Sequence, residues 1–143
     1  MTSVSFHVNL ADRTGYACRL LRKACAAGAR VVVVGDPLQL RELDAALWTF
    51  SPQDFIPHAV AGAALPAVLA QSPVILAPQA GDAPHRQVLV NLGMDVPEGF
   101  EGFERLIELV SDAPEEMSQA RQRWKHYAGQ GHGVTKVDQK EAA

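Results

Sequence analysis

Four consecutive valines constrain the fold of this chain more than any other stretch. Val31–Val34 follow Arg30 and precede Gly35, and every residue of the run is β-branched and apolar. Such side chains favour strands. A strand with no polar residue on either face must be covered on both faces, which is typical of a central strand in a parallel sheet flanked by helices. The run therefore predicts an α/β fold.

The segments before the valines show a strand pattern and then a helix pattern. Val4–Leu10 alternates apolar and polar residues, as a strand with one buried face does. Tyr16–Cys25 carries an apolar stripe with helical spacing, and Gly28 follows as a C-cap. Strand, helix and strand in this order predict a right-handed βαβ unit at the start of the chain.

A second helix is predicted directly after the valines. Asp36 as N-cap, Pro37 at the first helical position and Gln39 three residues after the cap form a capping-box pattern. An apolar stripe with helical spacing follows, formed by Leu40, Leu43, Leu47 and Phe50. The helix is expected to end at Ser51, because the residue before a proline is driven out of the helical region.

The next segment is aromatic and apolar but cannot be a central strand. Pro57 has no amide proton to donate, so Asp54–His58 is expected to run extended along a sheet edge or across the surface. Trp48 lies one position off the apolar stripe of the preceding helix, beside this segment. The residues alone leave two interpretations open, a loop packed on the core or a docking surface for another protein.

The second half of the chain shows further strand patterns and one helix. Pro73–Pro78 and Val88–Leu92 are joined by a link too short for a helical crossover, so the two strands are expected to be antiparallel or not adjacent. Glu104–Val110 fits a helix or a strand by pattern, and we assign a strand. Asp112–Glu115 is a capping-box pattern that opens a last helix. Residues 129–143 have little to bury and are predicted to form a flexible tail.

The last predicted helix gathers cations around an indole. Arg121, Trp124 and Lys125 share one helix face, and Arg123 lies just off it. One interpretation is a solvated basic face with Trp124 in the core. The other is a pocket for an acidic peptide with an apolar end, in which the cations hold carboxylates while Trp124 and Val110 contact the apolar group.

Few residues point to catalysis. Val34–Asp36 at a strand end invites a nucleotide site, because doubly wound folds bind ligands there, yet neither glycine-rich phosphate-binding motif is present. The five histidines show no metal-ligand spacing, and no serine or cysteine stands in a nucleophile elbow. We predict no catalytic residue, no cofactor and no metal. A small nucleotide- or metabolite-binding enzyme that uses residues 34–36 is the alternative.

Composition narrows the partners and the compartment. The 143 residues carry a net charge of -3, which argues against charge-driven nucleic-acid binding by the whole domain. No apolar run approaches the roughly 20 residues that span a bilayer, and the first residues lack a signal-peptide pattern. Cys18 and Cys25 lie about two turns apart in one predicted helix, too far for a disulfide. We expect a cytoplasmic domain with two free thiols.

Taken together, the motifs resemble those of the chi subunit of bacterial DNA polymerase III. In chain order, the resemblance is carried by Leu43–Trp48, Phe55–His58, Val88–Leu92, Phe103–Val110 and Ala120–Tyr127. It spans roughly Val4 to Tyr127. It implies a single α/β domain over residues 1–128, with three layers and a mostly parallel sheet of Rossmann-like topology. It also implies a place in the clamp-loader complex of the replicase and no catalytic activity.

The resemblance further implies two partner surfaces. The candidates for pairing with the psi subunit, or with another clamp-loader component, are Trp48, Phe55, Pro57 and His58. The candidates for binding the acidic C-terminal tail of the single-stranded-DNA-binding protein are Val110, Arg121, Trp124 and Lys125. A protein with both surfaces would be a non-catalytic adaptor in DNA replication.

Overall fold

A computed structural model of the protein describes residues 2–49, 56–61 and 66–139. Strands and helices alternate along these residues. In chain order they are β1 (Ser3–Leu10), α1 (Arg13–Ala26), β2 (Val31–Val34), α2 (Pro37–Thr49), β3 (His58–Val60), α3 (Pro66–Gln71), β4 (Val74–Ala77), β5 (Val88–Asn91), β6 (Arg105–Ser111), α4 (Pro114–Gly129) and β7 (Val134–Asp138). Short 3-10 helices occupy Ala80–Asp82 and Phe100–Gly102.

The strands form one parallel sheet in the order β3-β4-β2-β5-β6-β1-β7. The valine strand β2 pairs with β4 on one side and with β5 on the other. All four of its side chains are buried, as a strand inside a covered parallel sheet requires. The prediction of an α/β fold around this strand is confirmed.

Helices cover both faces of the sheet. Leu21 of α1 and Leu43 of α2 share one core cluster with Val33. Tyr127 of α4 shares the other cluster with Val32, the neighbour of Val33 that points to the opposite face. The single domain therefore has three layers, as predicted. No helix of the described chain has the length and hydrophobicity that crossing a membrane demands.

The start of α2 follows the predicted capping box. The carboxylate of Asp36 accepts the amide of Gln39 at 2.8 Å, and the side chain of Gln39 accepts the amide of Asp36 at 2.9 Å. These reciprocal hydrogen bonds satisfy two backbone donors, one of them at the helix start, that would otherwise have no partner.

The start of α4 differs from the prediction. The helix begins at Pro114 with Ala113 as its N-cap, and no side chain caps it. Pro114 forces Ala113 into an extended conformation, so the helix starts one residue later than a cap at Asp112 would place it. The hydroxyl of Ser111 accepts the amide of Ala113 at 3.3 Å and donates to Glu116 at 2.7 Å, so it satisfies one backbone donor beside the helix start.

Two strand assignments from the second half of the chain are settled by the sheet order. β4 and β5 are not adjacent, because β2 lies between them and runs parallel to both. The non-adjacent alternative is confirmed, and the antiparallel one is wrong. The strand predicted over Glu104–Val110 is also confirmed, because Arg105–Ser111 forms β6.

The segment predicted to be a flexible tail contributes a strand. Residues 134–138 form β7, which pairs in parallel with β1 from Val4 to Val8. Most side chains of β7 are exposed, so the strand has almost no hydrophobic signal in the sequence. It forms because the outer edge of β1 would otherwise present unpaired backbone groups. The amide of Val4, for example, donates to the carbonyl of Gly133 at 2.9 Å.

Candidate functional site

A groove of about 510 Å³ lies between α4 and the edge of the sheet formed by β1 and β7. Its floor is apolar. The side chains of the floor are Phe6, Val8, Met117, Ala120 and Trp124. They meet because alternate residues of β1 point to the α4 face of the sheet and because the three α4 residues recur at helical spacing.

Trp124 belongs to the core and to the groove at the same time. Its ring packs on the ring of Phe6, with centroids 5.1 Å apart and planes inclined by 38°. The side chain is only partly buried, and its remaining surface lines the groove. Part of the indole therefore packs against the core and part lines the groove, and the binding of a peptide there stays a prediction.

Cations stand on both sides of the groove. Arg121 and Lys125 line it from α4, and Lys136 lines it from β7. Asp138 also lines it and accepts a hydrogen bond from the side chain of Asn9 at 2.8 Å. Within the described ranges, no carboxylate forms an ion pair with any of the three cations at 4.0 Å or less. An anionic ligand in the groove would thus meet positive charge from two elements.

The structure brings three of the four residues expected at this site together. Arg121, Trp124 and Lys125 all line the groove, whereas Val110 does not. Val110 is 1% exposed and lies in the core, because its side chain points to the face of the sheet that α4 covers. The apolar wall assigned to it is supplied instead by the groove floor. Lys136 was missed, because it was placed in a tail without structure.

A buried polar network fastens α4 to the sheet. Arg123 donates through Nε to Glu108 of β6 at 3.1 Å, and the hydroxyl of Tyr127 donates to the same carboxylate oxygen at 2.5 Å. Asn91 donates to the other oxygen at 3.0 Å, and a second nitrogen of Arg123 donates to the carbonyl of Met94 at 2.7 Å. This network holds α4 in one position on the sheet, with Arg121 and Lys125 at the groove.

The network also sets the protonation behaviour of its members. Burial raises the pKa of Glu108, and the nearby positive charge of Arg123 together with the three hydrogen-bond donors opposes that rise. Burial and the charge of Glu108 both raise the pKa of Tyr127, so its hydroxyl remains a donor. The carboxylate of Glu108 accepts three hydrogen bonds, one of them from the cation Arg123, so its burial is compensated.

The second candidate surface lies where α2 ends and β3 begins. Trp48 is 58% exposed, and its ring lies 5.0 Å from that of His58, centroid to centroid. Pro57 is exposed beside them. The side chain of His58 is itself 1% exposed, so it offers a partner far less surface than Trp48 does. Phe55, the fourth candidate, lies outside the described residues.

A cleft of about 420 Å³ opens at the carboxyl ends of β2, β4 and β5, where the alternative function would place a nucleotide. The carboxylate of Asp36 already occupies the N-terminus of α2, the place where a phosphate would bind. Asp95 and Glu98 add further negative charge to the lining. Among the described residues, no group of three or more His, Cys, Asp or Glu side chains could hold a metal ion. The cleft is therefore unsuited to a phosphate.

Fold and groove together define a single-domain α/β protein with a parallel sheet and a cation-flanked groove with an apolar floor. The chain also matches the family model described as DNA polymerase III chi subunit, HolC, over residues 1–135. It is 35% identical over 137 residues to DNA polymerase III subunit chi of Pseudomonas aeruginosa, covering 92% of this chain and 93% of the relative. The chain therefore belongs to the DNA polymerase III chi subunit family.

A second relative agrees with this assignment. The chain is 28% identical over 121 residues to DNA polymerase III subunit chi of Haemophilus influenzae, covering 83% of this chain and 82% of that protein. The resemblance seen in the sequence motifs is confirmed. Membership of this family gives the protein an accessory role in DNA replication.

Proposed function

We propose that this protein is a non-catalytic, cytoplasmic adaptor of the replicase. In this proposal the groove beside α4 binds the C-terminal tail of the single-stranded-DNA-binding protein, and the Trp48 surface binds psi or an equivalent clamp-loader component. The observation that carries the proposal is the groove itself. It combines an apolar floor with three cations that have no ion-pair partner among the described residues.

The chemistry of the groove suits such a tail, which combines several acidic residues with a terminal Pro-Phe. The carboxylates of the tail pair with Arg121, Lys125 and Lys136 across the groove. The terminal phenyl ring packs against Trp124 and Met117 on the apolar floor. Peptide recognition by a basic cluster beside an apolar socket is a recurring binding mode.

Replacing Arg121 by alanine is expected to weaken binding of a tail peptide by about 1–3 kcal/mol, the range for hydrogen bonds to charged groups. Calorimetry with a synthetic tail peptide measures the change in Kd. Binding by the unaltered protein should also weaken as salt rises, because the groove cations are partly exposed and are screened over about 8 Å at physiological ionic strength.

Two controls make this measurement specific. Lys23→Ala removes an exposed cation from α1, on the opposite face of the sheet, and should leave the Kd unchanged. A peptide without its final phenylalanine should bind more weakly than the complete one. Equal affinity for the two peptides, or full affinity in Arg121→Ala, would contradict the assignment of the groove.

The Trp48 surface is the proposed site for the clamp-loader partner. Large aromatic side chains that stay exposed in the free protein are frequent anchors at protein interfaces. Here the exposed indole stands beside β3, whose outer edge pairs with no other strand among the described residues. An apolar anchor next to the edge strand of a sheet is a favourable site for a protein partner.

Replacing Trp48 by alanine is expected to weaken binding of purified psi by roughly 2–4 kcal/mol, as truncation of a central aromatic anchor does. Leu38 provides a matched control, because it lies in the same helix and is also 58% exposed. Leu38→Ala should keep the wild-type affinity. Circular dichroism must show both variants folded, and a Trp48→Ala protein that is folded and binds psi normally would refute this surface.

A further inference from the structure

The ring of His58 lies between two hydrogen-bond acceptors. Its Nε2 lies 2.8 Å from a carboxylate oxygen of Asp44 in α2, and its Nδ1 lies 2.8 Å from the carbonyl oxygen of Ile56. Each ring nitrogen therefore has an oxygen acceptor within hydrogen-bond distance, one from α2 and one from the residue two positions before His58.

This arrangement ties the end of α2 to the edge strand β3. Asp44 lies in the middle of α2 and Trp48 lies one helical turn later, on the same side of the helix. The ring of His58 reaches α2 from β3, contacts Asp44 and packs against Trp48 with the planes inclined by 57°. The imidazole thus supports one side of an indole that is 58% exposed.

We propose that Asp44 and His58 are positioning residues that hold the indole of Trp48 in the orientation in which the partner meets it. The inference rests on the proposed role of the Trp48 surface. The side chain of His58 is too buried to serve as a major contact, so its effect on a partner must pass through Trp48. Asp44 acts through His58, because its carboxylate holds the imidazole in place.

The physical benefit is pre-organisation. An exposed indole at a helix end samples several rotamers. A partner that binds only one of them binds more weakly, because ordering the side chain costs conformational entropy. A side chain already held by His58 has lost that freedom before binding. Removing the support should therefore weaken binding by about 2- to 10-fold, the equivalent of ordering one side chain.

Trp48 can report on its own orientation, because the chain has two tryptophans and Trp124→Phe leaves Trp48 as the single one. In this background we expect Asp44→Ala and His58→Gln to lower the fluorescence anisotropy of Trp48 and to raise its quenching by acrylamide. Asp44→Asn should lie closer to the parent protein, because an amide can still hydrogen-bond the ring. Glu42→Ala, an exposed acid of the same helix, should change neither signal.

A second measurement uses purified psi and the protein with both tryptophans. Asp44→Ala should raise the Kd by about 2- to 10-fold, and Asp44→Asn should recover part of the loss. If psi fails to bind the unaltered protein, the proposed partner is wrong while the fluorescence result still decides the positioning role. If folded Asp44→Ala and His58→Gln show the parent anisotropy and quenching, the positioning role is overturned.

Discussion

Replacing Arg123 by leucine is expected to destabilise the protein by about 3–5 kcal/mol, the range for removing one partner of a buried ion pair. Arg123 and Glu108 are both buried, and the pair is 3.1 Å apart from nitrogen to oxygen. Without the guanidinium, the carboxylate stays in a low-dielectric core with only the hydroxyl of Tyr127 and the amide of Asn91 to solvate it. The carbonyl of Met94 loses its donor as well. Chemical denaturation measures the loss.

The loss of stability in Arg123→Leu should grow as pH rises. Burial already raises the pKa of Glu108 above its ordinary value of 4.5, and the charge of Arg123 opposes the rise. In Arg123→Leu the pKa rises further, so the folded protein binds a proton that the unfolded chain releases. Stability then falls as pH rises from 4.5 through the raised pKa of Glu108. The difference from the unaltered protein should therefore be smaller near pH 5 than near pH 8.

The chain contains its own control two residues earlier. Arg121→Leu removes the same side chain from the same helix, but at an exposed position without an ion pair among the described residues. It should leave the free energy of unfolding nearly unchanged while weakening peptide binding. Adding Glu108→Gln to Arg123→Leu should restore part of the lost stability, since no charge remains buried. Equal stability of the two leucine variants would contradict the structural role of the pair.

The pairing of Glu108 with Arg123 shows the difference between features that have a local signal in the sequence and features that depend on tertiary packing. The four valines of β2 and the capping box at Asp36 are local patterns, and they were sufficient to assign the central strand and the start of α2. The pairing of Glu108 with Arg123 joins residues 15 positions apart through the packing of α4 on β6. Glu108 did leave a signal, as a single acid in the apolar run from Leu106 to Val110. A charge in a buried strand needs a buried partner.

The candidate groove was only partly predictable for a related reason. Arg121, Trp124 and Lys125 share a helix face, and helical periodicity alone brings them together. The opposite wall comes from β7, whose short polar sequence becomes a strand only because β1 offers an edge for it to pair with. Lys136 therefore had no local signal. Val110 was misplaced because its apolar character did not reveal that α4 covers it completely.

The Trp48 surface shows the same division between local and tertiary information. The residues alone left open whether Trp48 and the segment after it pack on the core or form a docking surface, and Trp48 is exposed. The role of Asp44 could not be read from the sequence, because the ring that it contacts comes from the separate strand β3, 14 residues later. Contacts between elements of this kind depend on how the edge of the sheet packs against the helix.

Replacing Val32 or Val33 by aspartate is expected to abolish folding. The two side chains point to opposite faces of the sheet, Val32 into the core beneath α4 and Val33 into the core beneath α1 and α2. Both are 0% exposed, and each packs in a cluster of hydrophobic side chains. The cost of an unpaired carboxylate there is comparable to the whole stability of a domain, about 5–15 kcal/mol. Thermal melts followed by circular dichroism should show no cooperative transition.

The pair of substitutions tests more than either one alone. If β2 lay at a sheet edge or faced solvent on one side, one of the two aspartates would be tolerated, since successive residues of a strand alternate between faces. Only a strand covered by helices on both faces makes both substitutions fatal. Val137→Asp, on the exposed edge strand β7, supplies the matched control and should keep a cooperative melt. A wild-type Tm in either β2 variant would exclude the three-layer core on which both partner surfaces are built.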